Sequence, residues 1–346
     1  MDFSSDNAAG ASPEVVAAIA AANAGTATAY GNDAVTARLG ERFAALFEHE
    51  VAIFPVATGT AANALALAAL TPPWGVVYCH EEAHIAIDEC GAPEFFAGGA
   101  KLVPLAGAHA KVSTDMIAAR LTERGFVHHA QPSAISISQS SEAGTVYTPA
   151  EVAALGEFAR RERLALHMDG ARFANAVAAL GCAPADVTWR AGVDVLSFGA
   201  TKNGALAAEA VVFFDPARAV DFGYRRKRGG HLLSKMRFLS AQLEAYLADG
   251  LWLRNARHAN AMAARLAAGL ERLPAARLRH PTEANEVFAE LPDPVIHALA
   301  ADGFKFYRWG GAHSLCLRLV TSFATTADEV DRLLAATRTH LERAQK

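Results

Sequence analysis

Two stretches decide the fold. One is Leu164-Ala165-Leu166-His167-Met168, running into Asp169-Gly170-Ala171-Arg172; the other is Val193-Asp194-Val195-Leu196-Ser197-Phe198, running into Gly199-Ala200-Thr201-Lys202-Asn203. Each is a short, mostly apolar run that ends in small and polar turn residues, which reads as a buried strand followed by a loop. Outward from these, short β-branched runs alternate from Val51 onward with longer Ala/Leu-rich segments of helical spacing. That alternation is the pattern of βαβ units, a mostly parallel sheet covered by helices. The expected strands are Val51 to Phe54, Val76 to Cys79, Lys101 to Leu105, Ala134 to Ser138, Leu164 to Met168, Val193 to Phe198 and Ala210 to Phe214. The link from Phe198 to Ala210 is too short for a helical crossover, which takes about a dozen residues or more. The seventh strand is therefore expected to run antiparallel to its fellows.

Thr148-Pro149-Ala150-Glu151 has the form of a capping box with proline at the first helical position, so a helix is expected from there to Arg161. Ser113-Thr114-Asp115 offers a similar start for a helix through Arg120. A long helical pattern from Leu232 to Leu273 must break near Asp249-Gly250. Beyond it, strands at Glu286 to Leu291, Phe304 to Tyr307 and Ser314 to Val320 mix with helices at Pro294 to Ala301 and Ala327 to Arg343, a small α+β domain. At ~150 residues per domain, two domains fit the length. We expect an N-terminal segment and large α/β domain over residues 1–249, and a small C-terminal domain over 250–346.

The apolar class makes up 52% of the 346 residues and charged residues 20%, too many hydrophobes for an intrinsically disordered chain. With 32 Lys and Arg against 36 Asp and Glu, the net charge of -4 excludes a strongly basic nucleic-acid binder. Cys79, Cys90, Cys182 and Cys316 lie far apart without a C-x-x-C pair, which fits a reducing cytoplasm rather than a zinc ribbon or a disulfide framework. No Lys or Arg precedes the first apolar run, and Glu14 interrupts that run, which argues against a secretory signal. Val51 to Leu70 is free of charge and about as long as a membrane span, yet Pro55 and Thr58-Gly59-Thr60 break it. It reads as a strand, a tight turn and a buried helix, and neither membrane nor nucleic acid is expected as a partner.

If the two deciding strands are parallel neighbours, Asp169 and Lys202 emerge together at the carboxyl edge of the sheet, where ligands bind in open α/β folds. An acid and a lysine so placed suit pyridoxal 5'-phosphate: the amine takes up the aldehyde and the carboxylate keeps the ring nitrogen protonated. The same two residues also fit a plain surface salt bridge, worth ~0–1 kcal/mol. Thr58-Gly59-Thr60-Ala61-Ala62-Asn63 follows a strand and opens a helix, offering backbone N–H groups, two hydroxyls and the positive helix end to a phosphate. An ordinary strand-to-helix turn has the same look. His80-Glu81-Glu82-Ala83-His84 matches a zinc-protease motif, but His80 follows directly on a strand, so the two histidines are not expected on one helical face and no metal is expected.

In order along the chain, Thr58-Gly59-Thr60, His84, Asp169-Gly170-Ala171-Arg172, Ser197-Phe198-Gly199-Ala200-Thr201-Lys202-Asn203-Gly204 and Arg318 resemble the low-specificity L-threonine aldolase family, including its phenylserine aldolase-like members. The similarity runs from Phe3-Ser4-Ser5-Asp6-Asn7 to Leu317-Arg318-Leu319-Val320-Thr321-Ser322. It implies the type I fold of pyridoxal-phosphate enzymes: a mostly parallel seven-stranded sheet with one antiparallel strand, plus a small C-terminal α+β domain. It also implies retro-aldol cleavage of L-3-hydroxy-α-amino acids, namely L-threonine, L-allo-threonine and β-phenylserine, to glycine and an aldehyde. The alternatives on this fold are another lyase or an aminotransferase, or a module that binds the cofactor without catalysis.

Carried over by the resemblance, Lys202 would hold the cofactor, Asp169 would pair with its ring nitrogen and His84 would stack on its face. Thr58, Gly59, Thr60 and Thr201 would complete the cofactor site. Arg172 and Arg318 would bind the substrate carboxylate or nearby cofactor oxygens, with Ser5 lining the same pocket. Arg318 in an apolar strand could equally be an edge residue reaching solvent, and His84 a structural histidine. The basic run Arg225-Arg226-Lys227-Arg228 reads as a solvated face, yet the resemblance implies that it reaches a neighbouring subunit's site, with Arg228 the contributing residue, in a homo-oligomer built as a dimer of dimers. Some family members carry Glu-Asn-Thr-His where this chain has Gln139-Ser140-Ser141-Glu142, so a histidine sometimes regarded as the base is missing. Gln139 is expected to contact the cofactor, and His84, His128 or His129 to accept the proton.

Overall fold

Val51 to Leu70 folds as β1 (Ala52–Val56) and a helix over Gly59–Leu70 whose Ala61–Ala68 face is buried all round, so an apolar, charge-free stretch becomes a core helix. The structure, a computed structural model, describes residues 1–344. The large sheet continues with β2 (Gly75–His80), β3 (Lys101–Leu105), β4 (Gln131–Ser138), β5 (Ala165–Gly170), β6 (Val195–Gly199) and β7 (Glu209–Phe213). Its strand order is β1-β7-β6-β5-β4-β2-β3. β7 pairs antiparallel with both β1 and β6, and the remaining pairs are parallel, as the short Phe198 to Ala210 link requires.

Every residue of β5 and β6 is buried, which explains why both read as apolar runs with little alternation. Their ends pack too closely for side chains at two positions. A Cβ on Gly170 would lie 2.7 Å from the Ser197 carbonyl oxygen, and one on Gly199 would lie 2.5 Å from the Ala171 carbonyl oxygen. The glycines of the D-G-A-R and F-G-A-T-K segments are thus the condition for bringing Asp169 and Lys202 together.

The helix Pro149–Arg161 starts on its box: the Glu151 amide donates to Thr148 Oγ1 at 3.2 Å and the Thr148 amide to Glu151 Oε2 at 2.7 Å. The long helical pattern resolves into Arg237–Leu247, a 3-10 turn at Ala248–Gly250 and Leu251–Leu270, with Asp249 and Gly250 at φ of +49° and +68°. The first of these begins at Arg237 rather than Leu232. Gly230 turns the chain at φ +80°, and the His231 ring is held by the Ala57 amide at 3.2 Å. The expected helix from Ser113 is shorter than anticipated and spans Thr114–Ala118.

The small sheet comprises β8 (Arg277–Leu278), β9 (Glu286–Glu290), β10 (Tyr307–Arg308) and β11 (Cys316–Val320), all antiparallel in the order β10-β11-β9-β8, covered by helices Asp293–Ala301 and Ala327–Ala344. The strand expected from Phe304 shrinks to Tyr307–Arg308 because the chain's start takes its partners. The Lys305 amide donates to the Met1 carbonyl, and the Phe3 amide to the Lys305 carbonyl. Phe3 is buried in the core of the small domain. Helix Leu251–Leu270 serves both cores, Trp252 and Ala256 packing with the large sheet and Ala263 to Leu270 with the small one. We propose to keep the division at 249/250, where the backbone turns through left-handed conformations, with residues 1–5 strapped across it. Among the described residues no helix is long and apolar enough to cross a membrane.

Candidate active site

The carboxyl ends of β5 and β6 open on a cavity of about 400 Å³. Register fixes its floor: Ser138, Asp169 and Ser197 lie side by side on β4, β5 and β6. Lys202, on the 3-10 turn Thr201–Asn203 that follows β6, lines the same cavity as Asp169. The two residues that the sequence places at one sheet edge therefore share one space.

Asp169 is held on both oxygens. Oδ1 accepts from the Ala171 amide at 2.9 Å, and Oδ2 accepts from Asn63 Nδ2 at 2.8 Å. The same Asn63 nitrogen donates to Glu89 Oε1 at 2.8 Å, and that oxygen also accepts from His84 Nδ1 at 2.8 Å. A relay His84–Glu89–Asn63–Asp169 thus runs along one wall. The bond to Glu89 pushes the His84 pKa up, burial opposes this, and the Asp169 and Glu142 charges support it. Burial pushes Glu89 up as well, partly offset by its bonds to His84 and Asn63. Asn63 Oδ1 and Glu89 Oε2 are buried without a hydrogen-bond partner among the described residues.

Beneath Asp169, on the same face of β5, lies His167. Its Nδ1 meets Ser136 Oγ at 2.9 Å and its Nε2 meets Ser197 Oγ at 3.0 Å, and burial lowers its pKa to about 4. The layer beneath Asp169 is therefore neutral at physiological pH, and the charges are confined to the cavity lining. There Lys202 faces several acids besides Asp169. Glu209 is raised by burial to about 7 while accepting from the Ala200 amide at 2.9 Å, and Glu142 is pushed up by burial.

The helix that carries Asn63, Gly59–Leu70, also brings its start to the cavity. Thr58 caps it, Oγ1 accepting from the Ala61 amide at 3.2 Å, while the Ala62 amide reaches the Thr58 carbonyl at 3.1 Å. The amides of Gly59 and Thr60 are then left for an outside acceptor, as at any helix start. A Cβ on Gly59 would meet nothing within 4 Å, so the backbone there borders open space. Thr58, Gly59, Thr60 and Thr201 all line the cavity, as does Asn7 from the N-terminal segment.

Other expected site residues lie elsewhere. Gln139 spends its amide on Tyr147, donating to the carbonyl at 2.8 Å and accepting from the amide at 2.9 Å; it is fully buried and does not line the cavity. Arg172 is buried behind the cavity wall, held by Asp6 through Nε at 2.8 Å and Nη2 at 3.2 Å, and by Glu286 through Nη1 at 3.2 Å. Burial disfavours the Asp6 carboxylate, but Arg172, Lys202 and a bond from Asn285 outweigh it and hold its pKa at about 2. Arg318 donates from Nε to the other oxygen of Glu286 at 2.8 Å and lies over the Trp309 ring. Neither arginine lines the cavity. Ser5 caps the short turn Asp6–Ala8 by accepting from the Asn7 amide, which orients Asn7 rather than reaching the cavity itself.

Arg228 lies in a separate groove with Phe95, Phe96 and Tyr224. His128 and His129 precede β4 at its amino end, exposed against Phe126 and roughly 26 Å of strand (8 residues) from the carboxyl edge, so they are poorly placed as proton acceptors. His80 ends β2 and bonds Gly107 at 2.9 Å through Nε2, whereas His84 opens the four-residue helix His84–Ile87, so the H-E-x-x-H pair does not share a helix.

Sequence reasoning gave no role to Asn63, Glu89, Glu142, Glu209, Asp6 or Glu286. The available signal was a polar residue where burial is expected: Asn63 in a charge-free helix, and Glu209 and Glu286 at the heads of buried strands.

The family model described as beta-eliminating lyase matches residues 2–293. The low specificity L-threonine aldolase of Pseudomonas aeruginosa PAO1 is 47% identical over 317 residues, covering 91% of this chain and 92% of that protein. The protein of the same description from Pseudomonas sp. NCIMB 10558 is 45% identical over the same coverage. A solved threonine aldolase from Leishmania major superposes with a TM-score of 0.91 at 28% identity, over 98% of both chains.

Proposed function

The chain belongs to the beta-eliminating lyase family, among the low-specificity L-threonine aldolases, and from that premise we propose that it uses pyridoxal 5'-phosphate to cleave L-threonine, L-allo-threonine and β-phenylserine to glycine and an aldehyde. The observation that carries this reading is the meeting of Lys202, Asp169 and the open helix start at Thr58-Gly59-Thr60 around one cavity. When bound, the cofactor supplies an aldehyde for an amine and a cationic ring that takes up the electron pair of a bond broken at Cα.

The donor set fits that group. Lys202 is the amine on the cavity wall. Asp169, fixed by Asn63 and the Ala171 amide, presents a carboxylate for a protonated ring nitrogen, and the neutral His167 below does not compete for that charge. His84, tethered by Glu89, offers its ring as a lid on the cofactor's flat face. The free amides of Gly59 and Thr60 offer the phosphate a cradle with the helix dipole behind it. Arg318 is our choice for the substrate carboxylate, because only its Nε is engaged by Glu286. Arg172 we read instead as the support of the wall, clamped by Asp6 and Glu286.

What distinguishes an aldolase from other enzymes of this fold is the orientation it gives the substrate, since the Cα bond standing upright over the ring breaks fastest. Incubation of the purified protein and cofactor with each hydroxy-amino acid, followed by assay of aldehyde and glycine, tests the reading. Turnover to a keto acid or loss of carbon dioxide without aldehyde would assign the fold another chemistry, and cofactor binding without turnover would leave a binding module.

We extend the proposal to a cytoplasmic homo-oligomer, a dimer of dimers. Phe95 and Tyr224 are more than three-quarters exposed in a groove of about 670 Å³ that also holds Arg228. Apolar surface of this kind beside a basic residue suits a second subunit, to whose site Arg228 would contribute. Light scattering on the purified protein and an Arg228→Ala variant test both statements.

A further inference from the structure

The retro-aldol step needs a base for the β-hydroxyl, and the histidine expected of some relatives is absent. The cavity offers few candidates. Asp169 accepts from Asn63 and the Ala171 amide, Glu89 takes Asn63 and His84 on Oε1 and keeps only a fully buried Oε2 free, and Glu209 is engaged by the Ala200 amide. His84 gives Nδ1 to Glu89, which favours its protonated form and weakens it as an acceptor.

Glu142 differs from all of these. It lines the cavity with Lys202, and its carboxylate makes no hydrogen bond among the described residues. The turn that carries it is rigid. Ser141 Oγ takes the Ala143 and Thr145 amides at 3.3 Å each and donates to the His109 carbonyl at 3.0 Å. The Gly144 carbonyl accepts from the Glu283 and Ala284 amides at 3.2 and 3.1 Å, which ties the turn to the small domain. Gly144 itself sits at φ +72°, where a Cβ would come within 2.8 Å of the Glu286 carbonyl oxygen. An unpaired carboxylate on a pinned turn is organised for a ligand rather than for the fold.

Resting on the aldolase reading, we infer that Glu142 is the catalytic base that accepts the β-hydroxyl proton of the substrate. The O–H proton passes to a Glu142 carboxylate oxygen, the Cβ–O bond becomes the carbonyl of the aldehyde, and the Cα–Cβ electron pair stays with Cα. Cα later takes one proton back, so glycine and aldehyde together account for every atom of the substrate. The charged groups around Glu142 are Lys202 and Arg172, which favour its ionised form, Glu286 and Asp169, which oppose it, and His84. Burial raises its pKa, so kcat/KM falls as the pH drops through that value.

The test compares Glu142→Gln with the unmodified holoenzyme in four measurements: aldehyde release from L-threonine, the visible absorbance of the bound cofactor, the Kd for glycine read from that absorbance, and exchange of the glycine α-hydrogen with deuterated solvent. Glycine has no β-hydroxyl and does not call on this base. The expected result is an about 10²- to 10⁴-fold loss of kcat on L-threonine, with absorbance unchanged, glycine affinity and exchange within about threefold, the acidic limb of the pH profile abolished, and partial rescue by Glu142→His. Threonine cleavage by Glu142→Gln within about threefold of the unmodified enzyme would overturn the assignment. So would an equal loss of threonine cleavage and glycine exchange, which marks a structural role. If the unmodified enzyme exchanges glycine yet cleaves no hydroxy-amino acid, the aldolase reading fails instead.

Discussion

Asn63→Leu keeps the branched outline of the side chain but removes its amide and strips two buried carboxylates of a donor at once, since the nitrogen lies 2.8 Å from both Glu89 Oε1 and Asp169 Oδ2. A hydrogen bond to a charged group contributes ~1.5–3 kcal/mol, so the pair is worth about 3–6 kcal/mol. At ~2.1 cal/mol/K per residue the unfolding entropy of this chain is roughly 0.7 kcal/mol/K, which converts the loss to a drop in Tm of about 4–8 °C. Affinity for the cofactor should fall as well, because Asp169 loses the contact that fixes one of its two oxygens. Calorimetry on the cofactor-loaded protein and an absorbance titration of the cofactor measure the two effects. Asn63→Asp, which replaces the donor by a third carboxylate, should be worse than Asn63→Leu on both counts. A leucine variant that melts within about 1 °C of the parent and binds the cofactor equally well would refute the idea that this amide organises the wall.

Asp6→Asn breaks the buried pair with Arg172 and should cost about 3–5 kcal/mol in denaturant titration. Because the Asp6 pKa is lowered to about 2 from 3.8, its stabilisation is present above the ordinary value and lost as pH falls from there toward 2, so the variant's stability should be flatter across that window. His167 is held at about 4 against an ordinary 6.5, so the neutral ring contributes stability above 6.5 that is lost as pH falls from 6.5 to 4, ~3 kcal/mol in all, and His167→Gln should abolish this slope in urea melts at stepped pH. Gly144→Ala combines an unfavourable φ with a close approach to Glu286 and should destabilise by about 1–3 kcal/mol, with threonine cleavage impaired more than cofactor binding.

Signals that depend on neighbours in sequence were legible: the capping box at Thr148, the break at Asp249-Gly250 and the antiparallel strand forced by a short link all match the structure. The unanticipated elements lack such local signals. The helix Pro13–Ala22 is half alanine and buries only Val15, so its pattern carries almost no helical stripe. Strand β8 is two residues long and exists because β9 is there to pair with. At the site, Lys202 and Asp169 were readable because each ends a strand of recognisable pattern. Gln139 and Arg172 were given to ligands by the family resemblance alone, and the structure supplies each with a partner inside the protein, Tyr147 in one case and Asp6 and Glu286 in the other. Asp6 and Glu286 lie some 280 residues apart in the chain, and only the folded N-terminal segment shows that both meet Arg172.

Borohydride reduction of the cofactor-loaded protein, followed by peptide mapping, reaches the central claim most directly because it fixes the cofactor to the amine that holds it. The label should fall on the peptide containing Lys202 and vanish in Lys202→Ala; a label on any other lysine would contradict the account.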